Sequence, residues 1–180
     1  MKKILLVITF ILTLAALAFA NEEKIKPEVL DAFKTRFSNA QDVTWVAGNN
    51  YFKASFNYYG SPMFAWYTPS GKLMGVMGIQ DKGEVTLIRH AYVRTSKRGQ
   101  GIGKQLLAHL NSIAKTPVLI GTWANATWAI NFYLKNGFRL LERKEIDILL
   151  PKYWTIPIRQ IETSVVLASP DWESLLRQGE

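Results

Sequence analysis

The sequence predicts an α/β (α+β) fold in which a mixed sheet is built from two different stretches of chain. A short helix and an antiparallel β-meander come first, because the apolar residues change from helical spacing to alternation at Val43. A β-α-β-α-β part follows, in which strand-like and helix-like segments alternate, and this order requires at least one parallel strand pair. We therefore expect three regions, residues 1–20, 21–78 and 79–180.

The first 20 residues have the three-part plan of a secretory signal peptide. Met1-Lys2-Lys3 is a short positive start, Ile4 to Phe19 is almost entirely apolar, and Ala18-Phe19-Ala20 fits a cleavage site. The alternative is a transmembrane anchor, but the apolar run is short for a membrane span. We expect a cleaved leader, which predicts a periplasmic or secreted protein with no stable membrane anchor after cleavage.

The composition excludes several kinds of site. The 180-residue chain has no cysteine, two histidines and a formal net charge of +8. Without cysteine there is no disulfide scaffold, thiolate metal site or cysteine nucleophile, and two histidines are few for a metal centre, so we expect no metal. Residues 79–180 carry 14 basic and 9 acidic residues, against 6 and 5 in residues 21–78. Five of the six excess positive charges of the chain without its leader therefore lie in the second segment.

Residues 21–78 begin with the predicted helix, in which Pro27 suits a first-turn position. Four strands follow, separated by turns rich in glycine, asparagine and proline. The many aromatic side chains allow two interpretations, a ligand platform or the core of a thin sheet, and we favour the core. The apolar helix face comprises Val29, Leu30, Phe33 and Phe37, and the strands are Val43–Trp45, Tyr51–Tyr58, Pro62–Tyr67 and Lys72–Met77.

Several short motifs in this segment suggest a family. Besides the leader, they are Pro27–Phe33, Phe37–Ala40, Val43–Trp45 and Thr68–Lys72. With them the segment resembles the small secreted PepSY-like domains of Bacteroidota. The resemblance implies a binding or inhibitory module and names no catalytic residue.

Residues 79–180 alternate strands with helices. The helices are indicated by apolar residues at helical spacing, and Gly137 ends the second of them. The predicted elements are the strand Val85–Val93, the helix Ile102–Ala114, the strand Pro117–Gly121, the helix Ala126–Asn136 and two closing strands, Arg139–Leu141 and Thr163–Ala168.

A glycine-rich run, residues 97–104, lies between the first strand and the first helix of this segment and reads Lys-Arg-Gly-Gln-Gly-Ile-Gly-Lys. Glycines let the backbone approach an anion closely, and the first N–H groups of a helix point towards it. The run predicts a phosphate cradle; the alternative is a glycine turn with solvated basic side chains. Four cations add positive charge there: Arg94, Lys97, Arg98 and Lys104.

Two common phosphate motifs do not fit this run. A P-loop requires a glycine where Arg98 stands and a serine or threonine where Gln105 follows the lysine. The dinucleotide fingerprint requires two residues between its last glycines, but Ile102 alone separates Gly101 from Gly103. The spacing Arg-x-x-Gly-x-Gly over residues 98–103 instead resembles the acetyl-CoA pyrophosphate loop of the GNAT N-acetyltransferase superfamily.

A second motif agrees with this resemblance. Ala129–Phe138 is similar to the superfamily's helix and turn A-I-x-x-Y-x-x-x-G-F, and the strand Leu87–Val93 and the final run Tyr153–Leu167 also fit. The resemblance covers about residues 75–168. It implies a cytoplasmic N-acetyltransferase with acetyl-CoA as donor and an amine as acceptor, either a small molecule or a protein.

The resemblance also implies roles for individual residues. The backbone of the glycine run would hold the pyrophosphate, and that of Tyr92 and Val93 would bind the pantetheine arm as an added strand. Tyr133 matches the general acid towards the departing CoA thiolate, with helix packing as the alternative. Asn125 lies one residue before a position where the superfamily often has an asparagine, and capping the following helix is its alternative role. The implied donor-binding residues are Tyr92, Val93, Arg98, Gly99, Gln100, Gly101, Ile102, Gly103, Lys104 and Asn125.

Several residues are candidates for the base that accepts the proton of the attacking amine. His90 and Arg89 are expected on opposite faces of their strand. Histidine suits base chemistry near neutral pH, although a lone strand histidine is more often structural. Glu145 and Glu162 are more remote candidates.

The first segment departs from the superfamily. Where the superfamily has two helices that help to form the acceptor site, residues 21–78 supply one helix and a meander. An exported PepSY-like binding module with a non-catalytic GNAT-like tail therefore competes with the enzyme, and a composite chain joined near Met74–Ile79 is a third possibility. We expect no nucleic-acid binding, because the cations concentrate at the glycine run instead of covering a face.

Overall fold

The structure, a computed structural model, describes residues 24–176. The predicted leader, residues 1–20, lies outside the described residues. Within the described part, none of the helices is long and apolar enough to cross a membrane. The chain divides into two units. Unit 1 contains the residues up to Met77 together with Tyr92–Gly103, and unit 2 contains Gly78–Ala91 and the residues from Lys104 onwards.

Unit 1 pairs one helix with an antiparallel meander. Helix α1 has proline in its first turn and ends at the residue before Phe37, whose N–H donates to the Phe33 carbonyl. Trp45 of the meander lies opposite Ala54 and Phe56 opposite Met63, and the register of β1 against β2 shifts once, between Gln41 and Thr44. The elements are α1 (Pro27–Arg36), β1 (Gln41–Ala47), β2 (Phe52–Tyr58), β3 (Ser61–Tyr67) and the start of β4 (Leu73–Asp81).

Aromatic side chains form the core of unit 1. The Phe33 ring lies 4.9 Å from the Phe56 ring, 5.1 Å from the Trp45 ring and 5.4 Å from the Phe37 ring, all measured between centroids. Each of these four side chains is at least nine-tenths buried, and edge-on or tilted ring contacts at these distances stabilise a core beyond the burial of area alone. The aromatic residues of the first segment therefore serve mainly as its core.

Unit 2 contains the predicted parallel strand pair. Thr86 and Leu87 of β5 pair with Val118 and Leu119 of β6, and β6 continues antiparallel with β8. Its strands are the end of β4, most of β5 (Thr86–Val93), β6 (Val118–Trp123), β7 (Arg139–Leu140) and β8 (Ser164–Ala168). Its helices are α2 (Ile102–Ile113, which begins in unit 1), α3 (Thr127–Lys135), α4 (Arg143–Tyr153), α5 (Ile158–Glu162) and α6 (Trp172–Leu176).

The strands follow one another in the order β1-β2-β3-β4-β5-β6-β8-β7, with neighbours hydrogen-bonded. The sheet is mixed, and the predicted fold class is confirmed. Strand β4 runs without a break through Met74–Ile79, the stretch where we considered a joint between two chains. Residues 73–79 of this strand are all buried, as expected for an interior strand covered on both faces.

Helix α4 was not predicted. A reciprocal capping box starts it: the Glu142 side chain accepts from the N–H of Glu145, whose own carboxylate accepts from the N–H of Glu142. Pro151 lies in its last turn, although proline inside a helix usually ends or kinks it. The helix buries Ile146, Leu149, Leu150 and Tyr153 in the core of unit 2.

Candidate functional site

The segment before the glycines is fixed to strand β4 of unit 1. The backbone N–H of Arg94 donates to the Met74 carbonyl at 2.8 Å, and Arg94 Nε donates to the Leu73 carbonyl at 2.9 Å. A single 3-10 turn, Thr95–Lys97, follows. Part of the Arg94 guanidinium is thus engaged in holding the loop, so Arg94 serves as an anchor as well as a charge.

Gly99 and Gly101 have φ values of 75° and 76°, a left-handed conformation that favours glycine. An added Cβ at Gly99 would meet no atom within 4 Å, so backbone conformation, and not crowding, requires glycine there. Backbone nests that bind anions are built from successive residues of which some are left-handed, and two left-handed glycines on either side of Gln100 suit such a nest.

Several N–H groups of this loop are available. Those of Lys97 and Arg98 donate to carbonyls of the preceding turn, but among the described residues none accepts from the N–H groups of Gly99, Gln100 or Gly101. The 12-residue helix α2 begins at Ile102, and the first N–H groups of a helix also lack internal acceptors. Consecutive backbone donors at a helix N-terminus form a binding site for a phosphate group.

The side chains of the run divide into two kinds. Arg98, Gln100 and Lys104 are exposed at the surface, where the two cations can approach a phosphate. Ile102 is 5% exposed, so its side chain is a core residue and its contribution to a ligand is limited to the backbone. The Gly103 residue is half-buried within the first turn of α2.

Strands β5 and β6 separate soon after they pair. Their parallel ladder comprises Thr86–Val118 and Leu87–Leu119, so that within unit 2 the edge of β5 from Ile88 onwards is not paired with β6. An extended ligand arm can hydrogen-bond to such an edge as an added strand. Further along β5, in unit 1, Tyr92 is 46% exposed and Val93 is half-buried. The point at which β5 and β6 separate was not predicted from the sequence.

Tyr133 lies on α3 in unit 2 and is 5% exposed. Its ring contacts those of Phe132 and Phe138, with centroids 5.0 and 5.8 Å away. Burial raises the pKa of its phenol to about 12, because removing the proton would place a charge in an apolar environment. Its hydroxyl makes no hydrogen bond among the described residues, yet it is not among the polar atoms sealed from solvent. The packing role and the proton-donor role are therefore compatible.

His90 has an unusual backbone. Its φ is 53°, a left-handed conformation that costs a non-glycine residue free energy. Side chains alternate between the two faces only where a strand is regular, and the strand is irregular at His90. The expectation that Arg89 and His90 point to opposite faces assumed a regular strand and therefore stays a prediction. His90 is exposed and Arg89 half-buried.

The other candidates have structural partners or different positions. Glu145 belongs to the capping box of α4 and lies 3.6 Å from Arg139, while Glu162 is an exposed residue at the end of α5. The proposed capping role of Asn125 is wrong, because Ala126 is the N-cap of α3 and makes no side-chain cap hydrogen bond. Asn125 is instead an exposed turn residue. The described residues contain no group of three or more potential metal-ligating side chains of His, Cys, Asp or Glu.

Unit 2 contains a cavity that the sequence analysis did not predict, although part of its lining comes from the run Tyr153–Leu167. It measures about 150 Å³ and lies between the end of β6, the end of α4 and helix α5. Its lining combines two indoles with small polar side chains and contains no charged residue. The lining residues are Gly121, Thr122, Trp123, Leu150, Trp154, Ile156, Gln160 and Ser164.

Comparison with known proteins agrees with this geometry. Residues 59–140 match the family model described as an acetyltransferase (GNAT) domain. The match begins in the turn before β3, crosses Met74–Ile79 and ends at β7, so it includes part of the segment that resembles PepSY-like domains.

Several solved structures are similar to this chain at low sequence identity, and one of them reaches a TM-score of 0.50. An acetyltransferase from Streptococcus agalactiae has a TM-score of 0.50 and 15% identity over 61% of this chain and 66% of its own. A GNAT-family acetyltransferase from Staphylococcus aureus has a TM-score of 0.49 and 19% identity, covering 61% and 68%. A GNAT-family acetyltransferase from Elizabethkingia anophelis with acetyl-CoA bound has a TM-score of 0.44 and 22% identity, covering 61% and 75%. The family-model match over residues 59–140 includes the whole glycine loop, in agreement with the resemblance of that loop to GNAT acetyltransferases.

Proposed function

We propose that the protein is an N-acetyltransferase that transfers the acetyl group of acetyl-CoA to an amine acceptor, which is a small molecule or a protein. The glycine loop carries this proposal: two left-handed glycines and a row of unused N–H donors precede a 12-residue helix. The loop would hold the CoA pyrophosphate, with Arg98 and Lys104 beside it. The open edge of β5 would receive the pantetheine arm.

The reaction requires little covalent chemistry from the chain. The amine nitrogen attacks the thioester carbonyl carbon, the C–N bond forms, and the C–S bond breaks as the tetrahedral intermediate collapses. The nitrogen loses a proton to a base or water, and the departing thiolate gains one. The chain contributes chiefly by holding donor and acceptor together in a reactive geometry.

Tyr133 is the candidate that assists the leaving group. A phenol with a pKa of about 12 holds its proton more tightly than a thiol, whose ordinary pKa is about 8.5. We therefore expect Tyr133 to donate a hydrogen bond to the developing thiolate without full proton transfer, unless the bound donor changes its surroundings. His90 is the candidate for the proton acceptor, since it is exposed in the strand that leads to the glycine loop.

Acetyl-CoA should raise the melting temperature of the leaderless protein, because a ligand that binds only the native state stabilises it. Gly101→Glu should abolish this shift, since it places a side chain and a negative charge in the cradle. Gly83→Glu is the matched control: Gly83 also has a positive φ of 79°, and a Cβ there meets no atom within 4 Å. Both variants carry the same strain and charge, but only Gly101→Glu should lose the shift.

Two results would contradict this proposal. One is the absence of any shift at millimolar acetyl-CoA. The other is an equal loss of the shift in Gly83→Glu and Gly101→Glu, which would indicate a general effect of strain or charge. Release of CoA thiol in the presence of a primary amine then tests the chemistry separately from binding.

The exported PepSY-like binding module is an alternative that rests on the leader and on residues 21–78. The family match and the similar structures give it no support, and it remains a prediction, as does the division at residues 78 and 79. The mature N-terminus decides the location: mass spectrometry should find Asn21 first if the leader is cleaved on export, whereas an intact Met1 in the cytoplasm supports the location that the acetyltransferase resemblance implies.

A further inference from the structure

The cavity of unit 2 is chemically different from the glycine loop. Two indoles contribute to its wall, and a Cβ at Gly121 would lie 3.2 Å from Trp154 Nε1. Glycine at that position of β6 thus lets the indole edge lie against the strand backbone. Trp154 is 9% exposed, whereas Trp123 is 54% exposed and stands at the rim. The cavity therefore has a fixed aromatic wall and an open aromatic edge.

The size of the cavity indicates one ring. Its volume is about 150 Å³, and an apolar cavity of about 150 Å³ is known to accommodate benzene. A flat ring can stack on the indoles with offset or edge-on geometry, which adds to the burial of its area. A ligand larger than one six-membered ring would have to extend out past Trp123.

The polarity of the cavity indicates one uncharged hydrogen-bonding substituent. The side chains of Thr122, Gln160 and Ser164 make no hydrogen bond with another described residue. A ring hydroxyl can both donate to and accept from such groups. A carboxylate or phosphate would lose its hydration without gaining a counter-charge, because none of the lining side chains is charged.

A cation that contacts the backbone of the cavity lining is already compensated. Arg143 pairs with Asp147 and also donates to the carbonyls of Ser164 and Ile161, both at 3.2 Å. Its guanidinium holds the start of β8 to α5 and is not directed at a ligand. The lining thus offers no counter-charge to a ligand, which favours a neutral ring.

We propose that this cavity binds the aromatic ring of the amine acceptor, a primary amine joined by a short chain to a six-membered ring that bears one hydroxyl. This inference rests on the proposed function in one respect, namely that the amine bound in the cavity is the acceptor of the acetyl group. Trp123, which lines the cavity, lies two residues before Asn125, a residue that the superfamily resemblance places at the donor. With the ring inside, the short chain carries the amine outwards, where its nitrogen attacks the thioester as described above. Two sources supply this chemistry, a free arylalkylamine and the N-terminal tyrosine of a peptide.

Binding is tested first without any donor. Ligand-observed NMR on the leaderless chain should give a dissociation constant for tyramine about tenfold below that for n-hexylamine, since only tyramine offers a ring to the indoles. Trp123→Ala should weaken tyramine binding about three- to tenfold. Trp128→Ala is the matched control, because Trp128 is also an exposed tryptophan of unit 2 but does not line the cavity.

A second variant tests the hydroxyl. Gln160→Leu should reduce the preference for tyramine over 2-phenylethylamine, while Arg159→Leu, at the neighbouring exposed position, should retain it. The tripeptide Tyr-Gly-Gly, compared with tyramine, distinguishes a peptide acceptor from a free amine. Unchanged melting temperatures show that the variants are folded.

The proposal is overturned if n-hexylamine binds as well as tyramine, or if Trp128→Ala weakens binding as much as Trp123→Ala. These results are independent of acetyl transfer. If acetyl-CoA does not bind but tyramine does, and Trp123→Ala weakens it, the proposed function fails while the ring site stands. If acetyl-CoA binds and tyramine does not, the proposed function stands and this inference fails.

Discussion

Tyr67 in unit 1 and Tyr133 in unit 2 show how the same physical cause can lead to different chemistry. Both are at least nine-tenths buried, and burial raises the pKa of both phenols, that of Tyr67 to well above its usual range. The Tyr67 hydroxyl is sealed in the aromatic core without a hydrogen-bond partner, whereas that of Tyr133 is not sealed. Burial alone therefore does not mark a functional tyrosine; access of a ligand to the hydroxyl does.

The largest expected effect separates the two tyrosines by activity. Tyr133→Phe should lower kcat about 100-fold, because it removes one hydrogen-bond donor to the developing charge. Tyr67→Phe should leave kcat within a factor of about three, since its hydroxyl has no access to a ligand. Steady-state kinetics with a primary amine measures both. Equal activity of Tyr133→Phe and the unmodified protein would reduce Tyr133 to a packing residue.

Alkaline pH should destabilise the protein through both tyrosines. The folded-state pKa of Tyr133 is raised from 10.0 to about 12, so the native state holds this proton more tightly than the unfolded state. Its contribution is fully present below pH 10 and is lost between pH 10 and 12, about 2–3 kcal/mol in all. Urea unfolding at pH 9 and pH 11 should show a smaller loss in Tyr133→Phe. An identical loss in that variant would contradict the raised pKa.

At neutral pH the free energy of unfolding should depend more on the hydroxyl of Tyr67 than on that of Tyr133, the reverse of the effect on kcat. Tyr67→Phe removes a buried hydroxyl that has no partner, so it should raise the free energy of unfolding by about 1 kcal/mol. Tyr133→Phe should change it by less than about 0.5 kcal/mol, because that hydroxyl is not sealed. Urea unfolding at pH 7 compares the two variants directly, and a destabilised Tyr67→Phe would mean that an unseen water satisfies the hydroxyl.

Local signals in the sequence were sufficient for most elements. Pro27 and the spacing of Phe33 and Phe37 predicted α1, and one-residue spacing of Gly101 and Gly103 predicted a particular kind of phosphate loop. These features depend on residues near each other in the chain. The same holds for Gly137, whose φ of 88° ends α3.

Features that depend on distant residues were not predictable. Separation of β5 from β6 is a property of two strands 25 or more residues apart, and the cavity combines residues of β6, α4, α5 and β8. Helix α4 was missed because Pro151 interrupts a pattern that the capping box of Glu142 and Glu145 nevertheless supports. The left-handed conformation of His90 was not predicted either, because histidine adopts a positive φ more often than most residues but still in only a small fraction of cases.

The smallest expected effect is the change in stability when the left-handed residue His90 is replaced, and Asp42 is its matched control. Asp42 in β1 has the same φ of 53° and lies at a register shift of the meander. Replacement of either residue by glycine relieves a left-handed conformation that costs about 1–2 kcal/mol, offset by the greater flexibility of glycine when unfolded. We expect His90→Gly and Asp42→Gly to be similar in stability, each within about 1 kcal/mol of the unmodified protein.

Activity should then distinguish the two glycine variants. If His90 takes the proton from the amine, His90→Gly lowers kcat, while Asp42→Gly leaves it unchanged. Imidazole added to His90→Gly should restore part of the activity, which relief of backbone strain alone would not produce. If His90→Gly keeps the kcat of Asp42→Gly, the left-handed backbone at His90 serves only the path of strand β5, and water takes the proton.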